Sequence, residues 1–87
     1  MTETVLKLML IRYNMLSKEK AAATSKCMHT GEDDEWEECV DEMTKMGDDL
    51  RKYGCEFVRT SSKAAGESRY NVYTIVLTNN CGVVSNI

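Results

Sequence analysis

Residues 32–53 read EDDEWEECVDEMTKMGDDLRKY, and this stretch contains ten acidic residues against three basic ones. The sequence on both sides is net basic, with +3 over residues 1–31 and +1 over residues 54–87. The overall charge of −3 therefore hides a strong local negative field. Because clustered like charge costs folding free energy, and because its commonest use is to attract a partner of opposite charge, the stretch is a candidate functional surface.

The apolar residues of this stretch predict one long amphipathic helix. Spacings of three and four alternate along them, which places all six on one side of a helix. These six residues, called the seam below, are Trp36, Cys39, Met43, Met46, Leu50 and Tyr53. Acidic residues crowd the first turn while Arg51 and Lys52 occupy the last, so both ends complement the helix dipole. Gly54 follows as a C-terminal stop.

The N-terminal part predicts two further helices. Residues 4–16 are nearly continuous in apolar side chains, and their few polar residues share one narrow stripe of a helix. That stripe consists of Glu3, Lys7, Asn14 and Lys18. The pattern indicates a helix buried on most sides, with a buried strand as the alternative interpretation. We expect Ser17 to break this helix and to cap a second one over residues 18–28, which is rich in alanine.

The C-terminal part predicts a β-hairpin. Residues 55–60 and 70–78 are rich in β-branched and aromatic side chains, and they flank a polar stretch, 61–69, that we expect to form a long flexible tip. Two or three helices followed by a hairpin define an α+β fold. The length of 87 residues allows one domain, which we place at residues 1–78, followed by a loosely ordered tail at 79–87.

The residue types that catalyse reactions or bind metals do not occur here at the spacings that those functions need. A zinc site can be drawn from Cys27, His29, Cys39 and Cys55, but structural zinc sites use pairs of ligands two to four residues apart. The acidic run lacks the alternating oxygen ligands and central glycine of a calcium loop, and no glycine-rich phosphate loop is present. The sequence therefore predicts no enzyme, no metal and no cofactor.

The compartment is inferred from two features. No apolar run approaches the roughly 18 residues that a membrane span needs, and the N-terminus lacks the charged leader of a secretory signal. We therefore expect a cytoplasmic protein. In that compartment the cysteines are reduced thiols, with disulfides as the alternative; they are Cys27, Cys39, Cys55 and Cys81.

The order of the predicted elements resembles a winged helix-turn-helix domain over residues 4–78. The resemblance is carried by LRKYGCEFVR at residues 50–59, a flexible loop, and RYNVYTIVLT at residues 69–78. In that family the third helix enters the DNA major groove and the hairpin contacts the backbone or minor groove. The resemblance implies DNA contacts from the hairpin through Arg59, Lys63 and Arg69, helped by Lys18, Lys20 and Lys26. It also brings the acidic helix close to phosphates, which favours a protein-binding derivative of the fold.

Three functional hypotheses follow. The first is a small non-catalytic interaction or inhibitor protein, of phage or mobile-element type, whose acidic helix imitates nucleic acid and docks on a basic, nucleic-acid-binding protein. Its partner-binding residues are Glu32, Asp33, Asp34, Glu35, Glu37, Glu38, Asp41 and Glu42. The second is a winged-helix transcriptional regulator that binds DNA through its hairpin, as a homodimer. The third is a homo-oligomeric module joined through the seam.

Overall fold

Two helices followed by an antiparallel sheet make up the fold. The computed structural model describes residues 2–66, 68–77 and 83–85. The elements are α1 (Glu3–Thr30), α2 (Asp34–Arg51), β1 (Cys55–Ala65), β2 (Ser68–Leu77) and β3 (Val83–Ser85). The sheet has the order β1-β2-β3, and both pairings are antiparallel. The predicted α+β class is confirmed, with two helices before the hairpin.

Helix α1 is continuous over 28 residues, so the predicted break at Ser17 is wrong, and so is the strand alternative for residues 4–16. The Thr2 side chain accepts a hydrogen bond from the Val5 amide at the start of the helix, at 3.3 Å. Gly31 ends the helix in the left-handed region, at φ 75°, and its N–H donates to the Cys27 carbonyl. Ser17 is buried and its hydroxyl donates to the sheet at the Asn71 carbonyl, at 2.7 Å, instead of capping a helix.

Two clusters of buried side chains hold the helices on the sheet. The first joins α1, α2 and the strands, and consists of Leu6, Leu10, Leu50, Cys55 and Ile75. The second lies nearer the turn between the two helices and consists of Leu16, Cys39 and Met43. The middle of the seam is thus buried within one chain, while its end residues Trp36 and Tyr53 are 36% and 57% exposed. Within the seam, these two ends are the exposed side chains, and Met46 is half-buried.

Helix α1 contacts the rest of the protein along one side, which corrects the prediction of a helix buried on most sides. The side chains of Val5, Leu8, Ile11 and Met15 are all at least 42% exposed. Asn14, which the sequence placed on the solvent stripe, instead faces β2. The reason is that an almost wholly apolar segment does not specify which of its sides meets the sheet.

Side chains of α1 take the place of a strand along part of the outer edge of β2. The Asn14 amide accepts a hydrogen bond from the Tyr73 N–H at 2.8 Å and donates one to the Tyr73 carbonyl at 3.1 Å. The Ser17 hydroxyl likewise donates a hydrogen bond to the Asn71 carbonyl. Strand β3 pairs further along, at Ile75 and Val76. Backbone groups that would otherwise lack partners at this edge are thereby satisfied.

The hairpin is longer and its turn shorter than predicted. The register runs from Cys55 opposite Leu77 to Ala65 opposite Ser68, so two residues separate the strands and the predicted long tip at 61–69 is wrong. A β-bulge lies between Arg59 and Ser61. Cross-strand pairing outweighs the weak strand propensity of this polar segment. The predicted loose tail at 79–87 lies mostly outside the described residues; within it, Val83–Ser85 forms β3.

The ring of Tyr13 ties α1 to the sheet and gives a test by pH. It stacks on Phe57 with 3.7 Å between ring centroids and meets Tyr73 edge-on at 4.8 Å. Burial is the main effect that raises the pKa of Tyr13 above its ordinary value of 10.0, and the nearby Tyr73 hydroxyl raises it further. The folded state therefore keeps this proton to higher pH than the unfolded state does, so the free energy of unfolding falls as pH rises above about 10.

We expect Tyr13→Phe to keep the stacking and to remove this part of the alkaline loss. In urea unfolding followed between pH 8 and pH 11, the variant should lose less stability than the wild type above about pH 10. Parallel curves for the two proteins would contradict the placement of the Tyr13 hydroxyl in the packed interface between α1 and the sheet.

Candidate functional site

All eight acidic residues predicted to bind a partner are exposed, on α2 or on the turn before it. Helix α2 turns Cys39, Met43 and Leu50 inward, and its other sides carry the carboxylates. The helix forms where it does because its apolar residues repeat at helical spacing and acidic residues occupy the first turn. The acidic surface therefore lies on a rigid helix whose buried side chains pack in the core of the protein.

Three of the eight carboxylates are paired with basic residues of α1. Lys26 Nζ lies 3.0 Å from Glu35 Oε1 and 3.6 Å from Glu32 Oε2. Arg12 donates two hydrogen bonds to the Glu42 carboxylate, from Nε to Oε1 at 3.2 Å and from Nη2 to Oε2 at 2.9 Å. These hydrogen bonds raise the pKa of Arg12 and of Lys26. The three paired acids thus help to join α1 to α2, and their charge is partly neutralised within the molecule.

Four acids of α2 form what we call the open acidic face. They are Asp34, Glu37, Glu38 and Asp41. Within residues 2–66, 68–77 and 83–85, no lysine or arginine forms an ion pair with any of them. Their spacings of three, four and seven place them on neighbouring positions of two helical turns, over about 10 Å of helix axis. This face points away from the buried side of α2.

The carboxylates at the start of α2 converge. Ligand oxygens of Asp33, Asp34 and Glu37 all lie within 4.8 Å of one another, and all three residues are exposed. Asp33 occupies the N-cap position, and its side chain makes no capping hydrogen bond. Such a group concentrates negative charge at one point of the surface and can meet a cation or a cationic side chain. The prediction that no metal is bound stays a prediction.

Among the described residues, the structure does not bring Cys27, His29, Cys39 and Cys55 together as a metal site. Cys39 and Cys55 belong to different buried clusters, and Cys27 is half-buried on α1. These three are free thiols in the structure, while Cys81 lies outside the described residues. Burial, followed by the charges of Glu19 and Glu42, raises the pKa of the Cys39 thiol, which keeps it protonated and unreactive. Among the described residues, only carboxylates form a group with the spacing of metal ligands.

The basic residues of the hairpin are exposed but do not all share a face. Arg59 lies opposite Tyr73, and Lys63 lies opposite Tyr70. Because successive residues of β2 alternate between faces, Arg59 and Arg69 lie on the face of Tyr73, and Lys63 lies on the other. The Arg69 guanidinium donates to the hydroxyl and carbonyl of Ser62, at 3.3 and 3.4 Å.

The three supporting lysines lie beside three different partners. Lys18 Nζ lies 6.0 Å from the centroid of the Tyr70 ring, and Lys20 Nζ lies 5.8 Å from that of Trp36. Lys26 pairs with Glu32 of the turn before α2 and with Glu35 of α2. The sequence places Trp36 on the apolar seam and does not indicate its exposed position, apart from its place as the first residue of that seam.

The observed class is a small α+β protein in which an acidic helix leads into a β-hairpin. The helix-plus-hairpin arrangement implied by the winged helix-turn-helix resemblance is present, with two helices before the hairpin. No family model, no curated protein and no solved structure matches this chain. No helix in the described part of the chain is both long and apolar enough to cross a membrane.

Proposed function

We propose that this chain is a small non-catalytic interaction protein that docks α2 on a basic surface of a larger, nucleic-acid-binding protein and blocks or modulates it. One observation supports the proposal above the others. The open acidic face presents four exposed carboxylates on one rigid helix, and no lysine or arginine of the described residues pairs with them.

The charge arrangement favours recognition over simple solubility. A helix kept soluble by charge gains stability when lysine or arginine follows each acid by four residues. In α2, Lys45 is the only basic residue before the last turn, and it follows only Asp41 by four residues, so the acids before Asp41 forgo that stabilisation. A row of carboxylates also resembles the phosphates of a nucleic acid, and a basic cleft would accept it by the counterion release that drives nucleic-acid binding.

The eight acidic residues contribute differently under this proposal. The four of the open acidic face need no rearrangement to meet a basic surface, and Asp33 adjoins them through the converging carboxylates. Glu32, Glu35 and Glu42 would first have to leave Lys26 or Arg12. We therefore assign the dominant contribution to the open acidic face, with the paired acids at its rim.

A displacement assay tests the proposal. Proteins of a lysate of the source cells are bound to DNA-cellulose, and the purified chain is expected to release the DNA-binding partner. Neutralising the open acidic face should weaken release at least tenfold, because the charge that competes with DNA is gone. The neutralised variant carries Asp34→Asn, Glu37→Gln, Glu38→Gln and Asp41→Asn.

The matched control removes the same number of charges elsewhere. It carries Glu3→Gln, Asp48→Asn, Asp49→Asn and Glu56→Gln, all outside the eight proposed partner-binding residues. This control should release the partner as the wild type does, and release should fall steeply with added salt. Equally weakened release by both variants would overturn the assignment to the open acidic face, since net charge alone would then explain the effect.

A winged-helix regulator is the second candidate. It is favoured by the direct passage from α2 through Gly54, at φ 72°, into a hairpin that exposes Arg59, Lys63 and Arg69. Duplex DNA binding at low salt, measured by gel mobility and lost when all three residues are changed to alanine, would support this candidate. Retained DNA binding by the triple variant would exclude the hairpin as the contact.

A further inference from the structure

An apolar pocket lies where the end of α1 meets the start of α2. It has a volume of about 330 Å³ and is lined by Thr24, Cys27, Met28, Asp33 and Trp36. Met28 is 75% exposed, the most of any large apolar side chain on α1. Trp36, the only tryptophan of the chain, is 36% exposed. Neither cluster of the core includes these two side chains.

The composition of the pocket is that of a binding hot spot. Tryptophan and methionine are enriched at protein interfaces, where an aromatic ring supplies a large contact area and the thioether adapts to its partner. The Lys20 ammonium lies 5.8 Å from the Trp36 ring centroid, but Lys20 does not line the pocket. The pocket itself therefore offers mainly apolar walls to an occupant.

The pocket and the converging carboxylates share one residue. Asp33 lines the pocket, and its carboxylate lies within 4.8 Å of those of Asp34 and Glu37. An apolar group seated between Met28 and Trp36 would thus have three carboxylates at one side. The three carboxylates would repel a negatively charged occupant. A positively charged occupant without an apolar side chain would leave the apolar walls of the pocket without contacts.

We propose that the segment recognised by this chain is basic and amphipathic: an apolar side chain enters the pocket while neighbouring arginine or lysine residues contact Asp33, Asp34 and Glu37. The inference rests on the proposed function and adds the chemistry of the partner to it. Arginine suits the site best, because its planar guanidinium presents five donors to several carboxylate oxygens at once.

Synthetic peptides test this directly, because the single tryptophan makes emission a report from the pocket itself. Two peptides of equal length and charge are compared, one alternating arginine with leucine and the other with serine in place of leucine. The leucine peptide should shift Trp36 emission to shorter wavelength and bind at least tenfold more tightly. It should also slow alkylation of Cys27, which lines the same pocket.

Variants locate the contact. Met28→Ser should lower affinity for the leucine peptide at least tenfold and leave the serine peptide unchanged. Met15→Ser is the matched control, since Met15 is exposed on α1 outside the pocket, and it should change neither affinity. Equal binding of both peptides, insensitive to Met28→Ser, would overturn the pocket while leaving charge-driven docking in place. Binding of neither peptide would also overturn it, and the displacement assay would then judge the proposed function separately.

Discussion

Replacing Leu10 by alanine should lower the free energy of unfolding by about 2–5 kcal/mol. The side chain is fully buried, in a cluster with Leu50 of α2 and Ile75 of β2. Truncation there removes apolar contacts with both elements and leaves a cavity that neither can fill alone. Urea unfolding followed by far-ultraviolet circular dichroism measures the loss, because most of the described chain is helix or strand.

Leu8→Ala is the matched control, two residues away on the same helix. The Leu8 side chain is 61% exposed, so its truncation should change the free energy of unfolding by no more than about 0.5 kcal/mol. The contrast decides which side of α1 faces the sheet. Similar losses in both variants would mean that the orientation of α1 described above is wrong.

Local patterns were sufficient to predict α2 and the hairpin. The alternating spacing of the seam identified Cys39, Met43 and Leu50, all of which are buried. The charges at the two ends and Gly54 located the end of α2 close to Arg51. The β-branched and aromatic strands also pair with each other as expected. In each case the signal lies within a few residues of the feature that it specifies.

Contacts between distant residues explain what the sequence did not reveal. Ser17 was expected to cap a helix, a common local role of serine, yet its hydroxyl bonds a carbonyl 54 residues further along the chain. The run of apolar residues in α1 gave no indication that Leu8 and Met15 would be exposed. The polar strand ends near the hairpin turn are held by pairing across the ladder, which overrides their weak local preference.

The same limit applies to the candidate site. All eight acids could be found by composition, but their division into paired and open groups depends on where α1 lies against α2. Arg12 reaches Glu42 across 30 positions in sequence, and Lys26 reaches Glu35 across nine. The pocket beside Trp36 likewise requires the two helix ends to meet. A pattern within one segment of the sequence therefore cannot predict which acids are paired or where the pocket forms.

The bonds of Asn14 to β2 give the second large expected effect. Asn14→Leu removes the donor to the Tyr73 carbonyl and the acceptor from the Tyr73 N–H, and it leaves both backbone groups half-buried without a partner. Each unsatisfied group costs about 1–3 kcal/mol when buried. Because the two groups here are only half-buried, we expect the lower part of their summed cost, a loss of about 2–4 kcal/mol in the free energy of unfolding. Hydrogen exchange of the Tyr73 amide should accelerate more than exchange of amides in β1.

Asn14→Asp separates the two bonds. At neutral pH the carboxylate still accepts from the Tyr73 N–H but repels the Tyr73 carbonyl oxygen, so stability should fall while that amide stays protected from exchange. A protein stabilised only by packing of α1 on the sheet would show the opposite: the isosteric Asp variant would be nearly neutral, and the Leu variant would gain stability from its added apolar surface. The two variants therefore decide whether the Asn14 amide replaces a strand at the outer edge of β2.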